Sequence, residues 1–482
     1  MHISARRLFV IILFVSIFYC ALRTVIDPDF FWHLRTGEMI AQTGAIPSTD
    51  PFSFTAYGNA WVTHEWLTEL FIYEVYQLGG IGGIIFVFAG LITGIFIFTY
   101  LACPDSAKPY VAGFGVLLGA LTSAPAWNAR PQVFSLLFFS VFLFLLERYR
   151  REHRLRYLIP LPLIMVVWVN MHGGFIFGFA LIGIYIAGLV IDWIWDRLQH
   201  REIDKTAGRQ VLTLASALVL TLLASLVNPN GYRLLVYPFQ ALSDPSLMRY
   251  ITEFQSPDFH QAMWLPLVGM ILLLLISAMK RNVNISTAHL LMIAAFFVLA
   301  LRSQYHVPFF AIAATPVLVA QFDWIQIPKE VHVKPNKLLV WLNALVVLVV
   351  IVIAGWQGKT MIAGQPEAVA YKYPQKAADW ILETRPTGNM FNSFNWGGYL
   401  IWRLYPDYPV YIDGRPDMYG PSFVTAYTDI YYTKPGWQAD LNAADVNFVL
   451  IEPDSSLANG LRQDAGWKIA YEDQNSIIFE KE

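Results

Sequence analysis

Residues 81–103, IGGIIFVFAGLITGIFIFTYLAC, run for 23 residues without one charged side chain. A helix rises about 1.5 Å per residue, so such a run reaches across a hydrocarbon core of about 30 Å. Apolar runs of related length recur at 8–25, 109–124, 131–147, 157–170, 174–195, 210–227, 263–279, 287–301, 307–322 and 338–356, giving about eleven expected spans. The composition agrees: 56% hydrophobic and 15% aromatic residues against 14% charged ones is far from a soluble domain's balance. A formal charge of -2 with no basic stripe argues against nucleic acid as a partner. Cys20 and Cys103 sit in or beside apolar runs, which argues against a disulfide framework or a thiolate metal site. Arg6-Arg7 and the run behind them read as an uncleaved first span, because no small-residue cleavage site follows.

The basic residues set the expected orientation, since Lys and Arg accumulate in short cytoplasmic loops. With the N-terminus inside, seventeen fall on the cytoplasmic side: Arg6, Arg7, Lys108, Arg148, Arg150, Arg151, Arg154, Arg156, Arg197, Arg201, Lys205, Arg209, Lys280, Arg281, Lys329, Lys334 and Lys337. Up to residue 337 only Arg23, Arg35, Arg130, Arg233, Arg249 and Arg302 fall opposite. An odd number of spans then leaves the C-terminus outside.

After residue 356 Pro, Asp, Asn and Tyr become frequent and the apolar runs shorten. Short β-like segments, Pro409 to Ile412, Asn447 to Ile451 and Ser476 to Phe479, alternate with helical ones, Tyr373 to Thr384 and Ser455 to Gln463. The expected fold is a polytopic α-helical membrane domain over 1–356, with a long first outer loop at 26–65, and an extracytoplasmic soluble α/β domain over 357–482.

That loop carries Asp27-Pro28-Asp29-Phe30-Phe31-Trp32-His33-Leu34-Arg35 and ends in Thr63-His64-Glu65-Trp66. Two carboxylates two residues apart at a membrane surface suit a shared divalent cation or a general base. The competing reading makes Asp27 or Asp29 the N-cap of a helix starting near Phe30. The other outer ends hold Asn128-Ala129-Arg130-Pro131-Gln132, Asn170-Met171-His172-Gly173-Gly174, Asn228-Pro229-Asn230-Gly231-Tyr232-Arg233, Thr252-Glu253-Phe254-Gln255-Ser256-Pro257 and Arg302-Ser303-Gln304-Tyr305-His306. Each has a bland reading as a turn, a helix break or a snorkelling arginine. All fall on the face disfavoured for cations, where an arginine is better explained by an anion such as a lipid phosphate.

Asp-Pro-Asp followed by His-Leu-Arg in a long first outer loop resembles the loop of GT-C-type glycosyltransferases, above all oligosaccharyltransferase catalytic subunits, and a poorly assigned group of bacterial proteins with the same loop. Thr252-Glu253-Phe254-Gln255-Ser256-Pro257 is similar to their Ser-Glu-His-Gln-Pro segment. Arg302 looks like their donor-phosphate arginine, and Asn395-Trp396-Gly397-Gly398-Tyr399-Leu400 stands where theirs has Trp-Trp-Asp-Tyr-Gly. The chain departs from that pattern in two places, having no carboxylate between Ser123 and Gln132 and none between Asn395 and Tyr399.

The resemblance implies a glycosyltransferase of the bacterial cytoplasmic membrane, moving a sugar from a polyprenyl-phosphate-linked donor to an extracytoplasmic glycan or protein acceptor. Asp27, Asp29 and Glu253 are then the expected catalytic residues, and the ligands of a divalent cation, Mg or Mn. Arg302, Arg130, Arg233 and His172 are expected on the donor phosphate. His33, Arg35, His64, Glu65, Trp396 and Tyr399 are expected on the acceptor side, with membrane lipids around the whole. Two other readings of the same residues are a transporter or flippase for a lipid-linked sugar and a non-catalytic membrane assembly subunit.

Overall fold

The computed structural model describes residues 4–105, 108–201, 206–242, 251–279, 285–322 and 337–482. Lys205, Arg249, Lys280, Arg281, Lys329 and Lys334, which enter the charge asymmetry above, lie outside the described residues. The chain folds as two compact units, one of Met1–Arg23, Phe86–Pro238 and Ile251–Thr360, the other of Thr24–Ile85, Phe239–Tyr250 and Met361–Glu482. Residues 24–85 therefore share a unit with the C-terminal segment, although the expected division at 356/357 assigns them to the membrane part.

The first unit is helical. Every apolar run named above falls on a helix, beginning with α1 (Ala5–Ala21), whose N-cap Ser4 accepts the Arg7 amide N–H. Among the described residues six helices are long and apolar enough to cross a membrane: α3 (Trp66–Ala102), Pro109–Ala126, Gln132–Glu152, Gly173–Leu198, Ala207–Ala224 and Leu338–Lys372. Leu155–Trp168, Ala262–Ala278 and Thr287–Arg302 are apolar but shorter, and α1 and Val307–Gln321 have 17 and 15 residues. The expectation of about eleven spans is thus met at six, because the other apolar helices fall short of the span length.

Val307–Gln321 is buried along almost its whole length. Its neighbour Pro109–Ser123 comes close at Gly119, where a Cβ would meet Thr315 Oγ1 at 2.4 Å. A small residue is what lets two apolar helices approach so nearly. Phe139 packs edge-on against both Phe296 and Phe309, at 5.0 and 5.1 Å between ring centroids. Buried Glu147 is compensated by Arg150, Arg151, Tyr185 and His289, the last at 2.7 Å, as a carboxylate in an apolar interior requires.

α3 is two helical segments joined at Gly80, whose φ of 57° and ψ of -155° are not helical. A β-carbon is strained at that positive φ, and the break coincides with the expected start of the span at 81.

In the second unit α2 (Phe30–Thr43) follows the acidic loop and ends on Gly44 at φ 67°. The C-terminal segment holds a four-stranded sheet of β1 (Asn389–Asn392), β2 (Val446–Ile451), β3 (Trp467–Glu472) and β4 (Ile477–Lys481) in the order β1-β2-β4-β3. β1 is parallel to β2, and the other two pairings are antiparallel. Helices including Gln375–Thr384, Gly397–Leu404, Pro421–Tyr431 and Ser456–Leu461 accompany it, so the expected α/β character holds. The core is built from Phe391, Tyr411, Ile412, Tyr427, Val449 and Phe479 among others.

One expected strand is corrected. Pro409 to Ile412 adds nothing to the sheet; the Val410 amide donates to Phe52 O at 3.0 Å and its carbonyl accepts from the Phe54 amide at 3.1 Å. Backbone hydrogen bonding that would have built a sheet edge goes to the 26–65 loop. Thr55 Oγ1 adds a bond to Tyr411 O at 2.6 Å.

Candidate active site

In the second unit the acidic loop is tied locally. Buried Asp27 accepts the Asp29 amide N–H on Oδ1 at 3.0 Å, and its carbonyl accepts the Phe30 amide at 3.2 Å. Asp29 occupies the N-cap position of α2, but its side chain caps no backbone amide; its Oδ1 accepts the Trp32 indole N–H at 3.2 Å. The two aspartates expected to serve as base or cation ligands thus both accept N–H groups at the start of one helix.

The loop is seated against the helix Gly397–Leu404. A Cβ on Gly398 would meet Pro28 O at 2.4 Å, so this glycine lets the loop backbone lie on the helix. Trp396 and Tyr399, expected on the acceptor side, are buried: Trp396 Nε1 donates to Lys372 O at 3.2 Å, and Tyr399 stacks on Tyr373 at 4.8 Å and meets Phe31 edge-on at 5.2 Å. Arg35 donates to Glu38 at 2.5 Å and to Tyr405 O at 2.6 Å, with the Tyr405 ring 5.2 Å away. Among the expected acceptor-side residues, Trp396, Tyr399 and Arg35 are therefore held in packing and hydrogen bonds.

Two residues that sequence reasoning passed over organise the same region. Arg415 is buried with Asp413 at 2.6 Å and Asp50 at 2.8 Å, while Trp61, Phe52 and Trp32 surround its guanidinium at 4.5 to 5.8 Å. Burial opposes the arginine's charge, yet the two aspartates hold its pKa above the ordinary range. Glu69, one helical turn after Glu65, reaches His33: the imidazole Nδ1 is 3.2 Å from Glu69 Oε1, and Nε2 is 3.8 Å from Glu65 Oε2. His64 Nε2 lies 3.6 Å from the other Glu65 oxygen. The i, i+4 spacing of Glu65 and Glu69 was a readable signal; nothing in the sequence ties Arg415 to Asp50.

In the first unit four expected residues gather about the turn Gln304–His306. Arg130 forms an ion pair with Glu253, which brings an expected phosphate ligand onto an expected catalytic carboxylate. Ser303 Oγ donates to Glu253 O at 2.9 Å, and the Gln304 amide donates to Gln255 O at 2.9 Å. Gln132 Nε2 donates to Tyr305 O at 3.3 Å. His172 lies parallel to the Tyr305 ring at 6.4 Å, and its Nδ1 accepts from the Gly174 amide at 3.0 Å and from Ser135 Oγ at 2.8 Å. With Nδ1 accepting, the neutral ring carries its proton on Nε2. Arg302 ends the helix Thr287–Arg302 exposed, and no carboxylate among the described residues pairs with it. His306 is buried, and burial together with the Arg302 charge lowers its pKa to about 4, so it adds no charge at neutral pH. Arg233 is exposed at the start of Arg233–Leu242, and no described contact ties it to this turn. The cluster combines two arginines, one carboxylate and neutral histidines, a balance suited to a phosphate-sized anion.

No protein-family model matches the chain, and no curated protein matches it. Solved structures do. The oligosaccharyltransferase of Archaeoglobus fulgidus in its apo form aligns over 99% of this chain and 75% of its own, at 13% identity and a TM-score of 0.57. The same organism's AglB, in complex with an inhibitory peptide and a dolichol-phosphate, covers 98% and 74% at 11% identity, again with a TM-score of 0.57. The mycobacterial arabinofuranosyltransferase AftD covers 100% of this chain and 40% of its own at 13% identity and a TM-score of 0.51. The chain has a GT-C-like fold.

Proposed function

We propose that this GT-C-like chain is a membrane glycosyltransferase that takes a sugar from a polyprenyl-phosphate-linked donor and gives it to a glycan or protein acceptor outside the cytoplasm. The observation that carries this reading is exposed Arg302, unpaired with any carboxylate among the described residues, beside the Arg130–Glu253 pair. An exposed arginine without a carboxylate partner, near in the fold to a satisfied pair, is available to an incoming phosphate. The dolichol-phosphate bound by the similarly folded archaeal AglB supports a polyprenyl phosphate as that anion.

In the proposed reaction an acceptor heteroatom attacks the anomeric carbon, the bond from that carbon to the phosphate oxygen breaks, and the acceptor's proton passes to a carboxylate. Asp27 or Asp29 takes the proton or would hold a divalent cation, Mg or Mn, and Glu253 is a further candidate carboxylate. Arg302, with Arg130, Arg233 and His172, stabilises the charge that grows on the departing phosphate. His33, His64 and Glu65 are assigned to the acceptor side. The N-terminus lies in the cytoplasm and the C-terminal domain outside a bacterial cytoplasmic membrane.

The test is donor turnover in proteoliposomes. The full chain is reconstituted with polyprenyl-phosphate-linked radiolabelled sugars and supplied with a cell-envelope extract as acceptor. Label moving into the extract with release of polyprenyl phosphate supports transfer. Donor crossing the bilayer with its sugar still attached would replace this reading with a transporter.

A further inference from the structure

We propose that His33, Glu65 and Glu69 form a binding site for a divalent first-row transition metal, Zn2+ foremost, separate from the Asp27–Asp29 pair. One atom from each of the three, an imidazole nitrogen and two carboxylate oxygens, lies within 4.8 Å of the other two. That donor set suits Zn2+ and its neighbours better than Mg2+, which prefers oxygen alone and keeps its water.

Two further observations point to a ligand. Glu69 is 1% exposed, and its Oε2 is a buried oxygen with no hydrogen-bond partner, although Oε1 faces His33. An orphaned carboxylate oxygen is costly unless a cation takes its lone pair. The local charge is also lopsided. Asp50, Asp413, Glu65 and Glu69 bring four carboxyl groups together, while Arg415 is already held by Asp50 and Asp413. Carboxylates outnumber the one buried arginine here, and a divalent cation would offset part of that excess.

The backbone holds the ligands together. A Cβ on Gly37, one turn beyond His33, would meet Glu69 O at 2.0 Å, so a glycine there brings α2 against the first turn of α3. Glu65 and Glu69 sit at i and i+4 and present both carboxylates on one side of that turn. Three protein ligands leave a fourth position for water or another oxygen, and Glu65, the partly exposed member, is the route of entry. His64, at 3.6 Å from Glu65, orients that carboxylate from outside. A metal here fixes the start of α2, and with it the acidic loop, to α3.

The experiment reads metal rather than sugar transfer, so its result is independent of the function proposed above. The full-length chain is purified in detergent on a tag without histidine, stripped with chelator, dialysed against Zn2+ and measured by elemental mass spectrometry. About one Zn2+ per chain is expected, with affinity lowered by more than about tenfold in His33→Gln and Glu69→Gln, since even outer-shell changes cost that much. Asp29→Asn should keep its metal. Because the buried variants can misfold, Glu65→Gln supplies a second arm: Zn2+ should raise the melting temperature of the wild type and leave that of Glu65→Gln unchanged. A wild-type chain with no bound Zn2+ would overturn the site and leave His33 as a hydrogen-bond partner of Glu69. Metal retained by Glu65→Gln and lost from Asp29→Asn would overturn it too, by moving the cation to the acidic pair.

Discussion

Arg415 Nη2 lies 2.8 Å from Asp50 Oδ1, both side chains almost fully buried, so a residue of the first long loop and one of the C-terminal segment share an ion pair inside one compact unit. Asp413 accepts from Nε and Nη2 of the same guanidinium, and Tyr419 donates to Asp413 at 2.7 Å. Removing the cation strands two buried carboxylates. Arg415→Met is expected to cost about 3–5 kcal/mol, the usual scale for breaking a buried pair from one side. Thermal melts of purified protein check this, and a loss below about 1 kcal/mol would mean that water reaches the pair.

Gly398 makes a second expectation concrete. Its missing side chain admits the Pro28 carbonyl, and a Cβ would stand 2.4 Å from that oxygen. Gly398→Ala should therefore destabilise the unit by about 1–3 kcal/mol, as overpacking does. Limited proteolysis within 26–65 reports it, because the loop loses its seat on the helix Gly397–Leu404. Unchanged protection would show that the backbone shifts at no cost.

Much of the fold was legible because burial in an apolar solvent demands long uncharged runs, and every such run proved helical. The start of the 81–103 run was readable to one residue, since Gly80 breaks the helix there. Strands Asn447 to Ile451 and Ser476 to Phe479 were readable as short apolar runs lying between helical stretches. Pro409 to Ile412 has the same look but spends its backbone bonds on Phe52 and Phe54, a pairing between distant segments that local pattern does not encode. β1 and β3 went unread: β1 is only four residues long, and β3 leaves several side chains exposed. Of the candidate residues, the sequence named several that gather about the Gln304–His306 turn. It missed Glu69 and Arg415, whose roles depend on partners brought by tertiary packing.

His306 gives the account a pH signature. Burial and the neighbouring Arg302 lower its pKa to about 4, below the ordinary value near 6.5, so the folded protein disfavours the proton. The stability this contributes is present above about pH 6.5 and lost as the pH falls towards 4, by at most about 3 kcal/mol. Melting temperatures between pH 7 and 4.5 should fall in the wild type more steeply than in His306→Gln. Parallel curves would place His306 in contact with water.

Arg302 separates phosphate binding from membrane anchoring. Arg302→Ala should weaken binding of a polyprenyl-phosphate donor by about tenfold to a hundredfold, the worth of losing one charge-assisted contact. Lys should rescue only in part, because a point charge does not reproduce a planar fork of donors. Donor affinity measured by titration in nanodiscs decides it, and wild-type affinity in Arg302→Ala would make this side chain an interfacial anchor.

The central claim is sugar transfer that depends on the acidic loop, and the most direct measurement is mass spectrometry of surface glycans from cells that lack the gene and carry it back as wild type, Asp27→Asn or Asp29→Asn. Asparagine caps a helix about as well as aspartate, so a structural role survives the change, whereas a base or cation ligand does not. The account predicts that one sugar increment disappears with the gene, returns with the wild type, and stays at least about a hundredfold reduced with one of the two Asn variants, each present in the membrane at normal level. Glycans identical in all four strains, or full restoration by both Asn variants, would contradict it.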